Sequence, residues 1–463
     1  MDATEVVPGA SELAEPDGIT ARLSAFLAAS RWDDVPAAVR HEAKRSLLNF
    51  FATALAGCRD PAIGCALDVL SEFSDPSQKA VVIGRSETTD LLNAAFLNAA
   101  SANVFDFDDT HLRTVIHPSA PVAPAVLALA GRRPIAGSAL LHAFILGIET
   151  ECRIGNSVSP GHYRRGWHIT ATCGIFGAAA AAAKLLDLSK QKICWAFGNA
   201  SAQSSGLVET LGSMAKSIGV GNAARNGVLA ALLAEKNFTG PDRPIEGPFG
   251  FARVTSEDPA LSCIIEGLGE SWEILKNTYK PYPCGIVVNP VIEACLDLRV
   301  QHDHNWRQSR RIVVTGNPLL RERADRPAVA TGREAQVSAQ HAVAVALLYG
   351  AAGIAQFTDT AVSDPAAREL RRKVQIVADE TVPIEAAKVA VEMSDGSVKT
   401  TQVRSARGSL ARPLSDAELE KKFLELAAYG CPGCDAARLI TAIWTIDRSD
   451  HAGNVMRLAV PRT

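Results

Sequence analysis

Residues 105–119, FDFDDTHLRTVIHPS, place three aspartates, two histidines and an arginine between long segments rich in Ala and Leu. So many titratable side chains beside apolar sequence predict a reactive site at the edge of a buried core. Three kinds of chemistry use these residue types: metal coordination, phosphoryl transfer to an aspartate, and acid–base catalysis on a small anion. The surrounding sequence favours one of the three.

Metal coordination and phosphoryl transfer lack the sequence context that they need. The chain contains no HExxH motif, calcium-binding loop or paired CxxC motif, so we predict no metal site. Residues 106–110, DFDDT, resemble the DxDxT motif of haloacid-dehalogenase phosphatases, in which the first aspartate follows a buried strand. The preceding residues, LLNAAFLNAASANVF, are poor in β-branched side chains, which disfavours a strand. A metal-dependent phosphatase is therefore a distant alternative.

Acid–base chemistry is supported by three downstream blocks that carry cations and proton-transfer groups beside glycine or proline. Residues 163–168 read YRRGWH, residues 211–216 read LGSMAK, and residues 280–285 read KPYPCG. The third block lies where we expect a boundary between domains, which is a common place for a ligand cleft. The glycines after the first two blocks are expected to interrupt helices and to let backbone approach a ligand. Together the blocks predict a pocket for a small polycarboxylate.

The composition is typical of a soluble globular protein. The chain has 463 residues, of which 47% are hydrophobic and 21% charged, and its net charge is −3. This balance predicts no nucleic-acid partner and no membrane partner. The N-terminus, MDATEVVPGASELAEPDG, lacks the basic and apolar regions of a signal peptide. The ten cysteines are scattered, so we predict reduced thiols and a cytoplasmic location.

Helical periodicity dominates the N-terminal part, and strands are expected only near the C-terminus. The predicted fold is mostly α: a large all-helical domain over residues 19–274, with 405–463 packing back on it, and a smaller α+β lid domain over 275–404. Within the helical domain, Val35–Gly57 reads as a helix with Asp34 as its cap.

Particular turn and cap residues define the elements of the C-terminal part. Asp395-Gly396 between alternating apolar residues predicts a β-hairpin. Asp364 is predicted to cap a helix, as is either Ser415 or Asp416, and Asn289 just before Pro290 is a further predicted cap.

Five blocks in this order resemble the MmgE/PrpD family: FDFDDTH…HPSAPVAPAVLALA, GWHITATCGIFGAAAAAAKLLDL, MAKSIGVGNAARNG, KPYPCGIVVNPVIEAC and PLSDAELEKKF. The resemblance extends over about residues 19–442. Members of the family include 2-methylcitrate dehydratase, cis-aconitate decarboxylase and iminodisuccinate epimerase. The resemblance implies a homodimer with an active site between its helical and lid domains, and no cofactor.

The family pattern, carried over residue by residue, implies that five side chains lie in the pocket as catalytic groups: Asp106, His117, His168, Lys216 and Lys280. The histidines are the candidate bases, and the lysines are candidate donors to a developing negative charge. Which histidine removes the proton is left open.

Four more residues are candidate substrate ligands: Tyr163, Arg164, Arg165 and Asp109. Tyr163 is also a possible second proton carrier. For Asp109, capping a helix and pairing with Arg113 are equally possible roles.

Two positions depart from the family pattern. Gly285 and Asn289 stand where related chains carry histidine. A lyase needs a placed acid for the leaving group or for reprotonation, so the missing imidazoles favour an epimerase acting on an iminodisuccinate-type compound. A hydro-lyase or decarboxylase in which another residue supplies the acid is the alternative.

Overall fold

The structure is a computed structural model that describes residues 18–75, 77–302 and 305–462. Residues 1–17, which include nearly all of the segment predicted not to be a signal peptide, lie outside this range. The α-helices are α1 Ile19–Ala29, α2 Ala37–Gly57, α3 Pro61–Ser71, α4 Leu91–Asn103, α5 Ser119–Ala130, α6 Gly137–Val158, α7 Gly161–Arg164, α8 Ile169–Leu185, α9 Lys190–Ser201, α10 Ala215–Glu235, α11 Phe251–Thr255, α12 Asn289–Gln301, α13 Pro318–Ala324, α14 Gly332–Ala335, α15 Ala339–Tyr349, α16 Asp359–Ser363, α17 Pro365–Arg371, α18 Asp416–Gly430 and α19 Ala436–Trp444. The β-strands are β1 Ala80–Val81, β2 Thr88–Thr89, β3 Thr110–His111, β4 Asn277–Thr278, β5 Ser309–Gly316, β6 Val374–Ala378, β7 Ala387–Met393 and β8 Val398–Val403.

The mostly α fold class is confirmed, with one larger sheet in the C-terminal part. Its strand order is β6-β5-β7-β8, with β5 parallel to β6 and antiparallel to β7. The hairpin of β7 and β8 turns at Asp395-Gly396 as predicted, and Gly396 has a φ of 82°, which favours glycine. Val389 and Val391 on β7 are buried and alternate with more exposed residues, so one face of the sheet packs on the core.

Helices α6, α8 and α10 pack closely at the centre of the helical part because small residues face one another. A Cβ added to Gly177 on α8 would lie 2.9 Å from the carbonyl oxygen of Gly147 on α6. A Cβ added to Gly227 on α10 would lie 2.5 Å from the Cβ of Ala178. Helix α8 runs unbroken through Gly177, so the predicted interruption by glycine is wrong. These glycines bring helices together instead of bringing backbone to a ligand.

Two of the four predicted helix caps are confirmed. The carboxylate of Asp364 accepts hydrogen bonds from backbone N–H groups at the start of α17, and Ser415 forms a capping box with Glu418 at the start of α18.

The other two predicted caps are wrong for a shared reason. In both places a short 3-10 turn leads into the α-helix. Asp34 is the last residue of one such turn, and Asn289 directly follows the other. Helix α2 begins only at Ala37, and α12 begins at Asn289 itself, whose backbone is already helical. A cap needs a residue in extended backbone just ahead of the helix, and neither side chain has that place.

The described residues form two large hydrophobic clusters. One is built mainly from the helices before residue 280 together with α18 and α19, and the other lies within residues 284–406. Helix α18 packs against α2, so the C-terminal segment returns to the helical part. The domain boundaries at 274 and 404 stay a prediction. No helix in the described part of the chain is both long and apolar enough to cross a membrane.

Candidate active site

A cavity of about 310 Å³ opens between the helical part and the α+β part. Its helical wall consists of Asp106, Thr110, His117, Tyr163, Arg164, His168, Lys216 and Lys280. Its arginine wall consists of Glu322, Arg323, Arg326, Arg333 and Gln336. All five predicted catalytic side chains therefore line one cavity.

Asp106 is the centre of the helical wall. It follows α4 and has a φ of 51°, a left-handed conformation that is uncommon for residues other than glycine. Lys216 Nζ donates to Asp106 Oδ1 at 2.6 Å, and Lys280 Nζ lies 3.3 Å from Oδ2 and donates to the Asp106 carbonyl oxygen at 2.8 Å. Burial alone would raise the pKa of Asp106, but the two ammonium groups and His117 hold it well below its usual range. The carboxylate is therefore ionised at neutral pH.

Distant segments bring these groups together. Strand β3 pairs with β4 through Thr110 and Thr278, which places the segment leading to Lys280 beside the segment that follows Asp106. Lys216 lies in the first turn of α10, and α10 packs against α4, the helix that precedes Asp106. The site therefore depends on packing between elements that are far apart in the sequence.

His117 is oriented by a backbone carbonyl group. Its Nδ1 lies 2.9 Å from the carbonyl oxygen of Asp109. Because a carbonyl oxygen only accepts, Nδ1 donates and Nε2 keeps the lone pair in the neutral ring. Nε2 lies 3.6 Å from Oδ1 of Asp106. Burial lowers the pKa of His117, so its ring is neutral near pH 7 and ready to accept a proton.

His168 and Tyr163 are further titratable side chains on the same wall. Burial, together with the charge of Lys216, lowers the pKa of His168 to about 3, so its imidazole is neutral at physiological pH. Burial raises the pKa of Tyr163, so its phenol stays protonated and can donate. His168 sits directly before α8, where its backbone N–H donates to the carbonyl oxygen of Gly206 at 3.0 Å.

Asp109 lies behind the helical wall and does not line the cavity. Its Oδ2 accepts from Ser119 Oγ and Asn277 Nδ2, each at 2.6 Å, and its Oδ1 accepts from the backbone N–H of Ser119 at the start of α5. Of the predicted alternatives, the structure thus places Asp109 at a helix start, and its role as a substrate ligand stays a prediction. Burial raises the pKa of Asp109 to about 7 despite its hydrogen bonds.

Lys422 supports the wall from the back, a role that the sequence did not reveal. Its ammonium group donates to Asn49 Oδ1 at 2.8 Å, to the Phe107 carbonyl oxygen at 2.8 Å and to the Lys280 carbonyl oxygen at 2.9 Å. It therefore joins the segment of Asp106 to the segment of Lys280. Burial, with the charge of Lys280, lowers the pKa of Lys422 to about 7. Lys422 lies inside PLSDAELEKKF, one of the five blocks that resemble the family, and this position was the only hint in the sequence of a role near the site.

The arginine wall was also missed from the sequence. Arg323, on α13, places its guanidinium carbon 4.1 Å from the centre of the Tyr163 ring across the cavity. Arg333 pairs with Asp60. The basic run RERADR at 321–326 was a signal, but such runs are more often solvated surface than ligand contacts.

Among the predicted substrate ligands, Tyr163 and Arg164 line the cavity, whereas Arg165 does not. Arg165 lies at the surface, where Nη1 is 3.5 Å from the Glu257 carboxylate. Gly285 lines the cavity without a side chain. Asn289 lies behind it and donates from Nδ2 to the Gly285 carbonyl oxygen at 3.3 Å.

A metal ion fits this site poorly. Asp106, Asp108 and His117 offer ligand atoms within 4.8 Å of one another. However, the ammonium groups of Lys216 and Lys280 lie against the same carboxylates, at 2.6 Å and 3.3 Å from the two oxygens of Asp106. A divalent cation there would be repelled by two fixed positive charges. The phosphatase alternative is also disfavoured. Its motif requires a strand before the first aspartate, and Asp106 follows a helix.

Comparison with known proteins identifies relatives over nearly the whole chain. Residues 21–264 match the MmgE/PrpD N-terminal domain, and residues 282–448 match the MmgE/PrpD C-terminal domain. A cis-aconitate decarboxylase-like protein, oryM, of Aspergillus oryzae is 27% identical over 96% of this chain and 98% of its own length. The cis-aconitate decarboxylase of Aspergillus terreus is 28% identical over 89% of each chain, and that of Homo sapiens is 28% identical over 71% of each. These matches and the fold agree with the resemblance of the five sequence blocks, and the chain belongs to the MmgE/PrpD family of enzymes.

Proposed function

We propose that the chain catalyses proton transfer at a carbon next to a carboxylate of a small di- or tricarboxylic acid, with His117 as the base. The observation that carries this proposal is the orientation of His117. Its Nδ1 donates to the Asp109 carbonyl oxygen, so the Nε2 lone pair remains free beside the anionic Asp106. The five side chains that the family pattern implied are proposed to act together there.

The first step is proton removal. When Nε2 takes a proton, the resulting imidazolium is stabilised by the carboxylates of Asp106 and Asp108, at 3.6 Å and 3.4 Å from the ring nitrogens. The substrate carbanion delocalises its charge onto its carboxylate, which becomes a dianion. Lys216 and Lys280 are the proposed donors to those oxygens. Each such fixed donor contributes about 3–4 kcal/mol in comparable sites.

A lyase reaction of the cis-aconitate decarboxylase type is the first reaction to test. Relatives that match this chain over most of their own length carry that name. Loss of carbon dioxide leaves an electron pair on carbon that must be protonated. Tyr163, whose phenol is protonated, and His117 once it carries a proton are the available acids.

Epimerisation of an iminodisuccinate-type acid is the second candidate, and Gly285 is the observation that favours it. The cavity wall has no side chain at this position, and Asn289 is turned towards the backbone behind it. An epimerase needs two proton carriers on opposite sides of one carbon, for which His117 and either His168 or Tyr163 are proposed.

Proton NMR in D2O distinguishes these reactions. The enzyme is incubated with cis-aconitate, 2-methylcitrate, citrate, malate and iminodisuccinate. New vinyl signals establish a lyase. Loss of the α-proton signal without a new compound, together with a change in optical rotation, establishes an epimerase. Activity that EDTA abolishes would contradict metal-free chemistry, and absence of exchange or turnover with every acid would contradict the proposed function.

We also propose a cytoplasmic homodimer without cofactor. The homodimer and the absence of a cofactor follow from the family resemblance. The cytoplasmic location is supported by the cysteines, all ten of which are free. Light scattering after size exclusion tests the dimer, and a molar mass near the chain mass of 49.0 kDa would contradict it.

A further inference from the structure

Arg323 lines the cavity and forms no ion pair with any of the described residues. Its guanidinium group lies over the face of Tyr163 and lines the arginine wall. Its Nε is buried and makes no hydrogen bond in the described part of the chain. Two neighbouring arginines differ: Arg333 pairs with Asp60, and Arg321 on the same helix lies 4.0 Å from Asp325.

An unpaired, partly buried guanidinium group is unfavourable unless an anion binds it and accepts its hydrogen bonds. Burial of an N–H group without an acceptor lowers stability, and does so more when the group is charged. The Tyr163 ring covers one face of the guanidinium group but supplies no acceptor in its plane. The guanidinium group lines the cavity, where a carboxylate would match its fork with two parallel hydrogen bonds.

We propose that Arg323 is a specificity-determining residue that binds a substrate carboxylate remote from the reacting carbon. This inference rests on the proposed function and deepens it. His117 on the helical wall and Arg323 on the arginine wall line the same cavity, so a substrate held by both would have one carboxylate near the lysines and another at the guanidinium group. Arg323 thereby selects acids that carry the second anionic group, and contact with Tyr163 keeps the guanidinium group in position.

The test measures binding without turnover. Tricarballylate, which has three carboxylates and no leaving group, is titrated calorimetrically into the wild type, R323Q and R323K. R321Q is the matched control, because Arg321 lies on the same helix and its side chain is 66% exposed. We expect R323Q to weaken binding at least about tenfold, since hydrogen bonds to charged groups contribute about 1.5–3 kcal/mol. R323K should bind between the wild type and R323Q, and R321Q should bind within about twofold of the wild type.

Valerate and glutarate, which have equal chain length and one or two carboxylates, complete the test. The wild type should prefer glutarate, and R323Q should lose most of that preference while its thermal unfolding midpoint stays close to that of the wild type. If R323Q binds tricarballylate as the wild type does, or keeps the preference, Arg323 is not the anion ligand. Failure of the wild type to bind any of the three acids would also overturn the inference. Because binding does not require catalysis, absence of turnover in the NMR experiment is a separate result.

Discussion

The two walls of the cavity use cations in different ways. On the helical wall, the side chains of Lys216 and Lys280 are only 11% and 0% exposed, and both lie against the Asp106 carboxylate. On the arginine wall, Arg323 is only partly buried, forms no ion pair in the described part of the chain and rests on the Tyr163 ring. Lys216 and Lys280 are thus paired with a carboxylate before a substrate arrives, whereas Arg323 has no such partner among the described residues.

This difference indicates a division of labour between the walls. Cations already fixed by a carboxylate do not have to reorganise when negative charge develops on a substrate, which is the requirement for stabilising a transition state. Unpaired guanidinium groups gain partners when an anion binds, which contributes to affinity and selection. Changes on the helical wall are therefore expected to alter kcat, and changes on the arginine wall to alter KM.

The largest expected effect is that of H117A. Loss of a general base lowers turnover by about 100-fold or more. The kcat is measured with whichever acid reacts in the NMR experiment, and circular dichroism checks that the variant is folded. R165Q is the control, because Arg165 lies at the surface beside Glu257, and its kcat should stay within about twofold of the wild type. Normal turnover by H117A would mean that His117 is structural.

A smaller effect is expected from K422M, which removes the support behind the helical wall. The substitution leaves the carbonyl oxygens of Phe107 and Lys280 without their donor, at a cost of about 2 kcal/mol in the free energy of unfolding. Urea denaturation measures this difference. K421M is the matched control, because the adjacent Lys421 is 76% exposed and pairs with Glu425 on the same helix. Equal stability of the two variants would show that Lys422 does not hold the wall together.

A last effect concerns the pH dependence of stability, through Asp109. Its pKa is about 7 in the folded protein and about 3.9 in an unfolded chain. Between these values the folded state binds more protons, so the wild type loses stability as pH rises through that window. D109N lacks this carboxyl group. For each pH unit in the window, its free energy of unfolding should fall by up to about 1.4 kcal/mol less than that of the wild type. Urea unfolding at several pH values compares the two proteins, and equal slopes would contradict the raised pKa.

Local signals in the sequence predicted much of the fold. The Asp395-Gly396 hairpin and the Asp364 and Ser415 caps depend on neighbouring residues, and the structure contains all three. The predicted caps Asp34 and Asn289 failed because a preceding 3-10 turn changed where each helix begins. The glycine-rich segment of α8 was misread because a helix tolerates glycine wherever a neighbouring helix must approach closely.

The site was only partly predictable from sequence. Asp106, His117, His168, Lys216 and Lys280 were implied by the family blocks, and the structure places them around one cavity, although their catalytic roles stay proposals. Lys422 lies inside the fifth block and Arg323 lies outside all five, and nothing local distinguishes either side chain from a solvated basic residue.

The sequence by itself determined the family, the mostly α fold class and the density of titratable groups between residues 105 and 119. Only the tertiary structure decided which groups became charged partners. Lys216 reaches Asp106 across 110 residues of sequence, and Lys422 reaches the Phe107 carbonyl oxygen across 315. The ionisation of a buried group depends on its depth and on the charges around it, and both follow from how distant helices pack.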